Sequence, residues 1–89
     1  MLNITDTRIR ILEGNNSKLK AVASITIDNC FAVHDIKIIE GNDGIFIAMP
    51  SRKASDGMFK DIAHPINHDA REFVKSTILD AYRKVIEEI

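Results

Sequence analysis

Residues 43–67 read DGIFIAMPSRKASDGMFKDIAHPIN, and this stretch decides the fold. A tight turn leads into an apolar strand at residues 45–49. Pro50 ends that strand, because proline has no N–H to give to a sheet ladder. A polar, basic loop follows over residues 51–57 and carries Arg52 and Lys53. The chain then returns through Met58, Phe59, Lys60, Asp61 and Ile62 to His64-Pro65-Ile66. Loops that hold specific chemistry on a strand scaffold are where function concentrates. The segment contains no catalytic signature, so it reads as a binding surface.

Upstream, hydrophobic periodicity predicts three more strands. Residues 4–12 alternate, with Ile9 and Ile11 on one side and Arg8 and Arg10 on the other. Residues 13–17 read as a turn by their glycine, asparagines and serine. The next run also alternates, with Leu19, Ala21, Ala23, Ile25 and Ile27 facing one way. Asp28-Asn29 reads as a hairpin turn without a glycine. Residues 30–39 form a third strand with apolar residues on both faces. Gly41 to Gly44 turns the chain into the fourth. Four consecutive strands make an antiparallel meander the natural arrangement.

Downstream the pattern becomes helical. Asn67 is a good N-cap, and Asp69 lies in the first turn, where the helix dipole favours an acid. Ala70, Phe73, Val74, Ile78, Ala81, Tyr82, Val85, Ile86 and Ile89 follow the three-and-four spacing of an amphipathic helix. Leu79 falls off that stripe, which suggests a contact for a second chain. The predicted fold class is therefore α+β: an antiparallel meander of four to five strands with one long C-terminal amphipathic helix. The third and fourth strands leave a second apolar face, made by Phe31, Val33 and Ile39 or by Phe46 and Ala48. An 89-residue chain has little else to cover it, so dimerisation through the sheet is expected. At this length one domain, residues 1–89, is expected, and a small core favours oligomerisation.

Composition narrows the function classes. Lys and Arg number 12 and Asp and Glu 13, a formal charge of −1. Global charge therefore does not announce nucleic-acid binding, and any anion site must come from local segregation. The single cysteine, Cys30, permits no internal disulfide and no cysteine zinc cluster, which fits a reducing cytoplasm. The N-terminus MLNITDTRIR has charges and no long apolar core, so no signal peptide is expected. No apolar run approaches the roughly 20 residues that span a bilayer. The expected location is cytoplasmic, without membrane insertion.

The candidate chemistry is non-catalytic. His34-Asp35 tempts as a hydrolase pair, but adjacent strand residues point to opposite faces, and no serine has a nucleophile-elbow context. His34 is better read as bonding across the sheet, and His64 as fixing the turn before Pro65. A zinc site from His34, His64 and His68 has no local motif spacing behind it. Gly41-Asn42-Asp43-Gly44 is followed by a strand rather than a helix, so it is a turn and not a phosphate loop. No catalytic residue, metal or cofactor is expected. The basic residues remain: Arg52 and Lys53 on the loop, Lys60 where the chain returns, and Arg71 and Lys75 one turn apart on the helix, with His68 one turn before Arg71. Together they make a candidate positive patch for phosphates. No aromatic platform for single-stranded bases is evident on the exposed strand positions.

Three ordered pieces, VHDIKII, GIFIAMPSRK and DGMFKDIAHPIN, also resemble the SpoVG family of bacterial sporulation and septation proteins. The resemblance runs from Ile4-Thr5-Asp6 to about Tyr82. It implies a small dimeric sheet-and-helix protein acting in septation and sporulation, and a regulator that binds DNA and RNA. In relatives the basic loop and the helix region carry DNA binding, and the matching positions are Arg52, Lys53, Arg71 and Lys75. Two functional expectations follow. One is a homodimeric nucleic-acid-binding regulator. The other is an interaction component of the septation machinery with no direct nucleic-acid contact.

Overall fold

The computed structural model describes residues 2–12 and 18–88; the turn expected at 13–17 lies outside them. Four strands, β1 (Ile4–Ile11), β2 (Leu19–Ile27), β3 (Phe31–Gly41) and β4 (Gly44–Ala48), pair in sequence order as the antiparallel meander. Two short strands, β5 (Ser51–Lys53) and β6 (Phe59–Asp61), form a separate hairpin instead of a fifth strand of that sheet. A helix, α1 (His68–Glu87), closes the chain and touches both edge strands, β1 and β4.

The alternation along β1 holds, and along β2 it holds from Ala21 to Ile27; the register shifts between Leu19 and Ala21, and Leu19 is not part of the core cluster that Ala21, Ala23, Ile25 and Ile27 join. Ala21, Ala23 and Ile25 are buried, while Arg8 and Arg10 are exposed. The turn after β2 needs no glycine. Asp28 and Asn29 take positive φ, 53° and 55°, and the Cys30 N–H donates to the Ile27 carbonyl at 3.1 Å. Asp and Asn are the side chains that best tolerate this conformation. The Asp28 and Asn29 N–H groups are fixed by the Asn3 carbonyl and the Thr5 Oγ1 of the first strand region.

A bulge in β3 changes what its sequence implies. Ile25 faces Val33 and Ala23 faces Ile36, so one residue of β2, Ser24, opposes two of β3, His34 and Asp35. Asp35 absorbs the extra residue at φ 63°. The side-chain phase flips there. Val33 packs on the core, on the same face as the fully buried Ile36 and Ile38, and not on the far face that unbroken alternation assigned to it. Asp35 and His34 now line one shallow concavity with Arg8, Arg10 and Ser24, where simple alternation had separated them. The far face of the sheet carries a mixed row across the strands, Arg10–Val22–Lys37–Ala48.

The helix begins as expected, with the Asn67 Oδ1 accepting from the Ala70 N–H at 2.8 Å. Its buried side chains are Val74, Ile78, Leu79 and Tyr82. Leu79, which sequence reasoning assigned to a second chain, is 6% exposed and belongs to the core. The stripe is simply wider than the strict three-and-four spacing, as a helix lying flat on a sheet requires. Ile36, Ile38 and Ile78 are the largest fully buried side chains, each stabilising by about 1.5–3 kcal/mol relative to exposure. Among the described residues no polar or charged side chain is buried.

Candidate nucleic-acid interface

The basic stretch after Pro50 is an ordered hairpin rather than a loop. The Gly57 N–H donates to the Ala54 carbonyl at 3.0 Å, and the Ala54 N–H to the Met58 carbonyl at 2.8 Å. Gly57 sits at φ 87°. A turn followed by a left-handed residue is the standard three-residue hairpin loop, and glycine enters that conformation without strain. The Asp56 Oδ1 accepts from the Met58 N–H at 3.0 Å and tightens the turn. At the open end the Ile62 N–H donates to the Pro50 carbonyl at 2.7 Å. Every residue of both strands is exposed.

The register sorts the candidate residues. Arg52 pairs with Lys60, Ser51 with Asp61, and Lys53 with Phe59. Successive strand residues face opposite ways. Arg52 and Lys60 therefore share one face, and Lys53 lies on the other with Ser51, Phe59 and Asp61. Two cations directly opposite each other repel, and an anion set between them would relieve that repulsion. Lys60 is tied to the Asp56 Oδ2 only at 3.9 Å, with both side chains more than half exposed. A pair of that kind contributes about 0–1 kcal/mol and leaves the ammonium available.

Arg71 stands elsewhere. It lines a cleft with Ser51, Asp61, His64 and Pro65, on the Lys53 side of the hairpin. Lys75 lies one turn further along the exposed helix surface. The structure thus joins Arg52 to Lys60, sets Arg71 near Asp61, and does not gather all five cations into one patch. His68 lines a separate hollow with Leu2 and Asp69.

Two contributors were missed by reading the sequence for loops alone. Lys37 lines a groove with Val22, Asp35, Pro50, Ser51 and Ile62, so the far face of the sheet runs into the base of the hairpin. Arg10 lies in the same cross-strand row as Lys37. The alternation of β1, which sets Arg8 and Arg10 opposite the core, was the available signal. Arg8 is engaged by Asp6 at 2.9 Å. The absence of an exposed aromatic is corrected as well: Phe59 is 70% exposed, Phe31 64% and Phe46 46%, all on strands.

The histidines take the expected positions. His34 Nδ1 lies 3.1 Å from the Ser24 Oγ across the β2–β3 pair. His64 Nδ1 lies 2.9 Å from the Pro65 carbonyl, so its Nδ1–H tautomer donates there. Among the described residues no three His, Cys, Asp or Glu side chains gather to hold a metal ion, and no helix is long and apolar enough to cross a membrane.

The family model named SpoVG matches residues 2–84. The chain belongs to the SpoVG family. It is similar to a protein of Clostridium perfringens called "Putative septation protein SpoVG", 60% identical over 84 residues, which is 94% of this chain and 92% of that protein. A protein of the same name from Agathobacter rectalis is 58% identical over 88 residues, 99% of this chain and all of the relative. Another from Caldicellulosiruptor bescii is 55% identical over 85 residues, 96% of both chains. The SpoVG match takes in the meander, the hairpin and all but the last turn of the helix.

Proposed function

We propose that this SpoVG-family chain acts in septation and sporulation as a non-enzymatic regulator that binds DNA and RNA as a homodimer, mainly through phosphate contacts. One observation carries the reading: Arg52 and Lys60 are cross-strand neighbours on one exposed face of an ordered hairpin. Phosphate contacts position a protein on nucleic acid without reading sequence. A cation pair held on a hairpin supplies such contacts although the chain carries a net charge of −1. Lys37 and Arg10 extend the same chemistry along the sheet, and Arg71 and Lys75 along the helix. Twofold symmetry doubles each contribution.

A second reading is favoured by Met58, Phe59 and Ile62, which are exposed on or beside the same hairpin. Here the hairpin docks a protein of the septation machinery and makes no direct nucleic-acid contact. Fluorescence anisotropy of labelled duplex DNA and of RNA, titrated with the purified protein across a range of salt, separates the two. Affinity that falls steeply with salt is expected for phosphate binding. A dimer that binds neither at low salt would reject the first reading in favour of the second.

A further inference from the structure

The face of the sheet turned away from the helix carries two adjoining rows that strand register brings together. In one, Arg10, Val22, Lys37 and Ala48 follow each other across the four strands, with no acid among them. In the next, the register shift between Leu19 and Ala21 sets Leu19 opposite Ile39, and Ile39 faces Phe46. Residues two apart on a strand share a face, so Lys37 lies on the side of Ile39 and Ala48 on the side of Phe46. Phe46 is thereby the diagonal neighbour of Lys37. Such neighbours lie about 7–8 Å apart, within reach of aromatic and long side chains. Among the described residues neither Arg10 nor Lys37 forms an ion pair, whereas Arg8 is held by Asp6.

Phe46 is braced as well as exposed. A Cβ on Gly41 would come within 2.9 Å of the Phe46 Cε1, so the ring packs over the bare backbone of that glycine. Of the three exposed phenylalanines, Phe46 alone lies on this face. Phe31 stands two residues before Val33, which packs on the core, and Phe59 is on the Lys53 side of the hairpin. The face also runs into the hairpin. Lys37 and Ile62 line one groove, whose one acid is Asp35, and Ile62 lines the next hollow with Arg52 and Lys60. Cations therefore continue from Arg10 through Lys37 to Arg52 and Lys60.

We propose that this face of the sheet is a platform for single-stranded nucleic acid, on which one base stacks on the Phe46 ring while Lys37 and Arg10 hold the adjoining phosphates. The inference rests on the nucleic-acid reading above and names its substrate class. A charged backbone with unpaired bases offers what the two rows take: phosphates for the cations and a π-face for the ring. Bases in a duplex stack on one another and present no face to Phe46. A second copy laid on the same face would bury Arg10 and Lys37 with no acid in their row to pair, which is costly.

The test is fluorescence anisotropy with a labelled single strand of roughly 12 nucleotides, as RNA and as DNA, beside a duplex. Far-UV circular dichroism is the folding control. Phe46→Leu is expected to weaken single-strand binding about tenfold, within the usual loss of one base–aromatic stack, and to leave duplex affinity unchanged. Phe46→Tyr should restore single-strand binding, and Phe59→Leu should not affect it. Lys37→Ala should lower the salt slope for the single strand by about 0.7 per protomer. NMR of the wild-type complex gives a readout that needs no variant: base protons should show contacts to the Phe46 ring. Single-strand affinity that survives Phe46→Leu, or equal losses for single strand and duplex, overturns the platform. So does a complex in which the bases touch Phe59 or Phe31 and not Phe46. A wild type that binds duplex but no single strand overturns the platform and leaves the nucleic-acid reading standing. A wild type that binds neither rejects that reading and the platform with it.

Discussion

Replacing both Arg52 and Lys60 with alanine removes the pair of cations that the hairpin places side by side on an exposed face. The expected effect is on salt dependence more than on stability. Each phosphate of duplex DNA neutralised by a protein cation contributes about 0.9 to the slope of log affinity against log salt. Two cations on each of two protomers account for a slope of up to about 3.6. Between about 50 and about 200 mM salt, that is a change of roughly two logarithmic units in affinity. The weak Asp56 contact to Lys60, 3.9 Å long and solvent-exposed, takes little from it. The double variant should therefore lose on the order of a hundredfold more affinity at about 50 mM than at about 200 mM salt, with a correspondingly shallower slope. Arg52→Lys should keep the slope, since charge and not fork geometry is the operative property. Lys53→Ala, on the opposite face, should change the slope much less. Anisotropy titrations with one labelled duplex at four or five salt concentrations measure all of this. A double variant with the wild-type slope, or one that loses affinity equally at every salt concentration, would show that these side chains do not meet phosphates.

Other perturbations probe the scaffold. Ile78→Ala empties the centre of the helix–sheet core, where the side chain is fully buried. It should cost about 2–5 kcal/mol in denaturant unfolding, and a loss below about 1 kcal/mol would be inconsistent with a core centred there. Asn67→Ala removes the cap bond to the Ala70 N–H and should cost about 1 kcal/mol, read as a lowered thermal midpoint. Gly57→Ala meets no neighbouring atom, but its φ of 87° is hostile to a side chain. It should destabilise the hairpin by roughly 1 kcal/mol or more, seen as faster amide exchange over residues 51–61 with the helix unaffected. Asp35→Val should destabilise the sheet, because a β-branched residue at φ 63° is strained, whereas Asp35→Gly should be close to neutral.

Particular elements show where sequence reasoning succeeds and where it stops. β1 and β2 were legible because each buries one face, and a period of two has one solution when a core lies on one side. The start of the helix was legible because Asn67 and Asp69 act locally, within four residues. β3 was misread at Val33. The bulge that flips its phase depends on how Asp35 is held against Ser24 of another strand, and no local pattern announces that. Leu79 was misread because the width of a buried stripe is set by the surface it lies on. The basic residues were identified, but their grouping was not. The sequence has Arg52 next to Lys53, yet a strand turns neighbours to opposite faces and makes Lys60, eight residues away, the true companion of Arg52.

The chain's own sequence determined the four strands of the meander and the helix, the turn at Asp28-Asn29, the helix cap and the family, but not the β5–β6 hairpin, which it showed only as a basic loop. What it determined rests on interactions within a few residues or on patterns of residue identity. Tertiary structure alone decided which cations share a face, which apolar residues the helix and sheet leave uncovered, and where the sheet changes phase. Those properties depend on strand register, and register is settled only when distant segments meet around a common core.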